Sequence, residues 1–185
     1  MYQERPRIRY TYRDYTLLPE GKRYEVIDGE LFVVPAPGFA HQTVVGNLFE
    51  ALRRHVRARR LGVVLAAPFD VVLSDEDVFQ PDVLFISSAR RHILTPANAR
   101  GAPDLVVEVL SPATRERDLE LKRKRYADFG VAEYWVVDPE ARAVTVLALG
   151  TGEYREAGTF CAGQAVASPL LPGLTLAVDE VFQDV

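Results

Sequence analysis

The stretch that most constrains this chain is residues 103–139, PDLVVEVLSPATRERDLELKRKRYADFGVAEYWVVDP. Its apolar run Leu105–Leu110 has the look of a strand buried on both faces, with the carboxylate of Glu108 in the middle. Ser111-Pro112 stops that strand, because the residue before a proline and the proline itself both resist further regular pairing. A helix is expected over about 114–129, closed by Gly130, and Tyr134–Val137 forms a second strand. Strand, helix, strand in this order builds an α/β sheet.

Two residues in the stretch break the local pattern. Glu108 interrupts the buried strand. Lys122 interrupts the inward stripe of the helix, where Leu119, Lys122, Tyr126 and Phe129 share one face and Lys124 lies on the other. A buried carboxylate or ammonium is costly unless it is paired or coordinates a metal. Tyr126 and Trp135 are expected in the core, packing on the Lys122 stem. A solvent-escaping strand carboxylate and a snorkelling lysine are the plainer alternatives.

The rest of the chain supplies a frame. Residues 1–20 are an N-terminal arm with a short helical turn or strand. Tyr24–Val34 is a hairpin, with Asp28-Gly29 suited to a type I′ turn. His41–Arg60 is the clearest helix, with Val44, Val45, Leu48, Phe49, Leu52 and Val56 on one stripe. Its arginine-rich end has two readings, a cationic C-terminus favoured by the helix dipole or a phosphate-contacting patch. His41 is expected at the start of that helix and not as a ligand. Strand residues at 62–73 are broken by Pro68. Val78–Ile86 is a strand carrying Pro81-Asp82, which predicts an edge or a bulge, and Gln80 beside it points to the same cleft. Residues 87–102 are a polar loop with a helical turn, Ala143–Leu149 is a strand, and short strands follow.

With 185 residues and no linker or repeat, one domain over 1–185 is the expectation. No apolar run approaches the roughly 20 residues of a membrane span, and the polar start does not read as a signal peptide, so a cytoplasmic protein is expected. The single cysteine, Cys161, excludes an internal disulfide framework. A formal net charge of −4 means that any DNA contact has to come from a local basic patch.

Two aspartates follow prolines, Asp82 and Asp104, and geometry chooses between them as a partner for Glu108. Asp104 and Glu108 lie on one strand, with Cα atoms roughly 13 Å apart. Asp82 lies on another strand, and neighbouring strands are only about 4.8 Å apart. Two carboxylates about 5 Å apart repel by roughly 3 kcal/mol at an effective dielectric of 20. A divalent cation removes that repulsion, and all-oxygen ligation suits Mg2+ or Mn2+.

Asp82 after Pro81, then Glu108-Val109-Leu110, then a helical lysine resembles the PD-(D/E)xK nuclease superfamily. YEVIDGEL, QPDVLFI, APDLVVEVLSP, DLELKRKRYADFGVAEYWVVDP and LLPGLTL resemble its Uma-type putative restriction endonuclease branch, from about Tyr24 to Phe182. The resemblance implies an α/β, restriction-endonuclease-like fold with a mixed central β-sheet flanked by helices. It implies magnesium-dependent hydrolysis of DNA phosphodiester bonds by metal-activated water. Asp82 and Glu108 match the metal carboxylates, Lys122 matches the catalytic lysine displaced to the helix, and Glu25 matches a further acidic position that holds metal or water. Leu110 stands where the superfamily usually has lysine. A homodimer suits cutting of both strands. The rival reading is a catalytically inactive nuclease-like binding or assembly module, with a phosphohydrolase of smaller esters as a third.

Overall fold

A computed structural model of the chain describes residues 8–185. The expected N-terminal arm therefore lies in part, at residues 1–7, outside the described residues. The remainder of the arm forms α1 (Tyr12–Tyr15), started by a capping box between Thr11 and Asp14. Tyr10 N–H donates to Gly29 C=O, and this ties the arm to the first hairpin.

That hairpin is β1 (Arg23–Ile27) and β2 (Glu30–Val34). Asp28 and Gly29 both take positive φ, 50° and 74°, as a type I′ turn demands. The long helix α2 spans Phe39–Arg59 and buries Val44, Leu48, Leu52 and Val56 on one stripe. The chain continues through β3 (Gly62–Ala66), β4 (Asp70–Ser74), β5 (Asp77–Phe79), β6 (Val83–Ser87), β7 (Asn98–Arg100) and β8 (Leu105–Val109). A 3-10 turn at Ser88–Ile93 fills the polar loop before β7. After β8, α3 (Arg115–Arg117), a π-helical turn (Asp118–Lys122) and α4 (Arg123–Asp128) run on without a break. Then come β9 (Glu133–Asp138), β10 (Ala143–Leu149), β11 (Tyr154–Phe160), β12 (Ala165–Val166), β13 (Leu176–Ala177) and α5 (Val178–Val181).

The fold is mixed α/β, and the expected mixed sheet is six-stranded, ordered β11-β10-β9-β8-β6-β3. Within it β8 and β9 are parallel and the other pairs antiparallel. A second, five-stranded sheet, β2-β1-β5-β4-β7, was not legible in the sequence pattern. Alternation along the strands divides the core. Val107, Val109, Trp135 and Val137 face α2, whereas Val106, Leu110, Tyr134 and Val136 pack with Tyr126.

Two expectations are corrected here. Val78–Ile86 is not one bulged strand. Its residues belong to β5 and β6 in different sheets, and Pro81-Asp82 is the crossing between them. Pro81 has no N–H to give a ladder, so the pairing ends there and restarts in the other sheet. Trp135 does not pack on the Lys122 stem. It points to the α2 side, where its indole N–H donates to Glu133 Oε1 at 2.7 Å.

Candidate active site

The register of the six-stranded sheet places the first two residues of the site. Val83 pairs with Val107 in the antiparallel β6–β8 ladder, so Asp82 and Glu108 stand opposite each other one step further on. Val109 N–H donates to Asp82 Oδ2 at 2.8 Å and fixes the aspartate against the neighbouring strand. Asp104 does not join them: its Oδ2 accepts from Ser87 N–H at the other end of the strand pair.

Glu108 is 3% exposed and lies on the face covered by the helical segment. Lys122 comes from that segment and is 4% exposed, whereas Lys124 is exposed. Lys122 Nζ sits 3.0 Å from Glu108 Oε1, 3.0 Å from Glu25 Oε1 and 3.2 Å from Asp118 Oδ1. Tyr126, one turn on, donates its hydroxyl to the same Glu108 oxygen at 2.8 Å. Glu25 Oε1 also accepts Gln80 N–H at 3.0 Å, so the hairpin, the sheet crossing and the helix meet at one point. Gln80 Nε2 donates to Tyr15 and Asp70, which holds the crossing in place.

One ammonium among three buried carboxylates cannot satisfy them all. Glu25 Oε2 is buried without a hydrogen-bond partner among the described residues, and Asp118 Oδ1 has only its 3.2 Å ion pair with Lys122, outside hydrogen-bond geometry. Burial drives the Glu108 carboxyl well above the ordinary carboxylate range. Lys122 pulls it down, and the charges of Asp118, Asp82 and Glu25 push it further up. Burial raises Asp118 in the same way. Burial alone would lower Lys122, but Glu108, Glu25 and Asp118 outweigh it and keep the ammonium firmly charged.

Glu25, Gln80, Asp82, Glu108, Asp118 and Lys122 line a cavity of about 280 Å³. His41 lines it too, with Nε2 3.2 Å from Asp82 Oδ2 and Nδ1 buried without a partner among the described residues. Burial opposes charge on that imidazole, yet the bond to Asp82 raises it above its ordinary value.

Comparison with known proteins agrees with this architecture. The family model described as "Putative restriction endonuclease", Uma2, matches residues 10–179. The chain belongs to the Uma2 family. A crystal structure of a putative nuclease belonging to DUF820 from Anabaena variabilis is similar in fold, with a TM-score of 0.77 and 20% identity. The match covers 93% of this chain and 97% of that one. No curated protein matches the chain.

Among the described residues no group of three or more His, Cys, Asp or Glu side chains forms a metal cage. Asp82 Oδ1 and Glu108 Oε2 nonetheless make no hydrogen bond within the described residues, and both residues line the cavity. Two carboxylates with free oxygens, and room for water, fit the ligation of magnesium or manganese, which takes one or two carboxylates and keeps several waters. They do not make a structural zinc site, which is closed by four nitrogen and sulfur ligands.

The structure thus brings together Asp82, Glu108, Lys122 and Glu25, the four residues singled out from the Uma2 sequence. Sequence reasoning missed Asp118 and passed over His41. Asp118 carried a usable signal, because it stands four residues before Lys122 as Tyr126 stands four after. His41 carried none, since only the tertiary fold brings α2 to the sheet crossing.

Proposed function

We propose that this Uma2 chain is a magnesium-dependent endonuclease, one restriction-endonuclease-like domain that hydrolyses DNA phosphodiester bonds with water as the nucleophile. The observation that carries the reading is the pair Asp82 and Glu108, set opposite each other with a buried ammonium beside them. Asp82 and Glu108 would hold the metal, which when bound polarises a phosphoryl oxygen and lowers the pKa of a water. Lys122 offers charge to the oxygens that gain negative charge as the phosphodiester is attacked. Tyr126 and Lys122 fix one oxygen of Glu108 and leave the other toward the cavity. Glu25 and Asp118 hold the Lys122 ammonium in position.

Two copies acting on the two strands of a duplex give a homodimer, checked by sedimentation in the presence of DNA. A DNA substrate also supports a cytoplasmic location. Among the described residues no helix is long and apolar enough to cross a membrane.

The test is plasmid cleavage with magnesium and with chelator, for wild type and for Asp82→Asn. Cleavage is expected only with metal and only in wild type. Manganese should also raise the melting temperature of wild type and not of the Asp82→Asn, Glu108→Gln double variant, because a ligand of the native state stabilises it. One observation favours the rival reading of a non-cleaving binding module: Lys122 already neutralises Glu108 at 3.0 Å. A wild type that binds no manganese and cuts no DNA, yet holds another protein tightly, would decide for that rival.

A further inference from the structure

The acidic cavity is also lined by two half-buried guanidiniums, Arg23 and Arg117. Among the described residues neither forms an ion pair, although Glu25, Asp82, Glu108 and Asp118 line the same cavity. Arg117 makes no hydrogen bond there, and its Nε is buried without a partner. A buried guanidinium nitrogen left without an acceptor is costly. Its retention beside four carboxylates, none of which it contacts, points to an anion from outside the chain.

Both groups are held in place. Arg117 lies over the Phe32 ring with its Cζ 4.8 Å from the centroid, a cation–π contact that holds the guanidinium beside β2. Phe32 pairs with Glu25 across the β1–β2 ladder, so both point to one face. Arg23 lies two residues before Glu25 and points to that face as well. Arg23 Nε donates to Gln80 Oε1 at 2.8 Å, and one of its terminal nitrogens reaches Gln80 C=O at 3.4 Å. Its other terminal nitrogen remains free among the described residues, as does the planar fork of Arg117.

We infer that Arg23 and Arg117 form a phosphate clamp that grips the backbone phosphodiester next to the one held at Asp82 and Glu108. This inference rests on the nuclease reading and adds the residues that place the strand. Planar guanidinium forks match phosphate oxygens in pairs, whereas in the absence of a metal the carboxylates repel an anion placed against them. The clamp therefore sets the register of the backbone along the site. Arg23 and Arg117 are positioning residues in this scheme.

The experiment measures binding of wild type, Arg23→Met and Arg117→Met to a short fluorescent DNA duplex in chelator, across a salt series. Methionine keeps the apolar stem over Phe32, and melting temperatures report on folding. Each variant should flatten the slope of log affinity against log salt by about 0.9, the value of one lost phosphate contact. Duplexes with a single neutral methylphosphonate, moved along the strand, locate the contact. One position should weaken wild type about tenfold and leave Arg117→Met unchanged. Arg117→Lys should restore the slope and only part of the affinity.

Unchanged slopes, or methylphosphonate penalties equal in wild type and variant at every position, overturn the clamp while leaving the nuclease reading intact if wild type still cuts. A wild type that binds no duplex, in chelator or with magnesium, and cuts none overturns both. A mononucleotide that competes as tightly as duplex, and loses affinity equally in both variants, overturns the assignment to a polymer backbone in favour of a small phosphate ester.

Discussion

One helical segment supplies the cation for two buried ionic clusters, and the two are built on opposite principles. At Arg125 one buried carboxylate, Asp77, is fully served, and the other acids near the guanidinium, Asp128 at 3.6 Å and Asp28 at 4.0 Å, are exposed and hydrated. Arg125 Nε donates to its Oδ1 at 2.9 Å and the terminal nitrogen to Oδ2, Ser74 donates at 2.6 Å and the Asp28 amide at 3.1 Å. Three residues earlier, at Lys122, one ammonium is divided among three carboxylates, and among the described residues Glu25 Oε2 is buried with no partner at all. Burial would raise Asp77, but Arg125, Ser74 and the Asp28 amide outweigh it and hold it below the ordinary range. Burial and excess negative charge push Glu108 the other way.

The contrast separates structure from function by chemistry alone. The Asp77 cluster closes the β4–β5 turn onto the first hairpin and onto α4, and has nothing left to offer a ligand. The Lys122 cluster carries unmet electrostatic demand and opens on a cavity. The π-helical turn at Asp118–Lys122 lies in the second cluster, and such turns frequently mark functional sites. Places where a fold tolerates unsatisfied groups are where a ligand can supply what is missing.

The comparison breaks most readily at Arg125. Arg125→Met leaves Asp77 buried without its cation and is expected to cost about 3–5 kcal/mol of stability, read from denaturant midpoints. A loss below about 1 kcal/mol would mean that Asp77 is not the structural cluster described here. Glu108→Gln sharpens the opposite side. It removes one of the mutually repelling carboxylates, so the melting temperature is expected to hold or rise. Magnesium-dependent cleavage should fall at least about 10²-fold in the same variant. A variant that loses stability and activity together would place Glu108 with the structural acids.

The pH dependence separates the clusters next. Asp77 is depressed in the folded state, so the unfolded chain binds its proton more readily. Its contribution to stability is complete above the unfolded value, about 3.9, and is lost as pH falls through the lower folded value. Acid titration of stability should therefore steepen below about pH 4 in wild type and flatten there in Asp77→Asn. Equal slopes would remove Asp77 from the acid transition. The smallest effect is expected at Lys124, against its neighbour Lys122 on the same helix. Lys124→Ala, on the exposed face, should stay within about 0.5 kcal/mol of wild type and keep single-turnover cleavage. Lys122→Met should slow cleavage on the order of 10²–10³-fold at saturating magnesium. Equal rates for the two would assign the ammonium to the wrong face.

Glu108 and Lys122 were legible because each violates a periodicity that its own neighbours set. The hairpin turn at Asp28-Gly29 and the stripe of α2 were legible for the same local reason, since backbone φ and helical spacing are properties of adjacent residues. Asp118 was legible in principle by the same rule, since it stands four positions before Lys122 on the face that Lys122 takes.

The sequence by itself determined the strand–helix–strand frame, the choice of Asp82 over Asp104, and the side of the helix that Lys122 takes. Tertiary structure alone decided the sheet switch at Pro81-Asp82, the approach of His41 to Asp82, the pairing of Asp77 with Arg125 over 48 residues, and the placing of Arg23 and Arg117 in one cavity. The physical reason is range. Hydrophobic period and turn chemistry act over a few residues. Which charges share a low-dielectric space depends on how separate elements pack, and no local pattern encodes that.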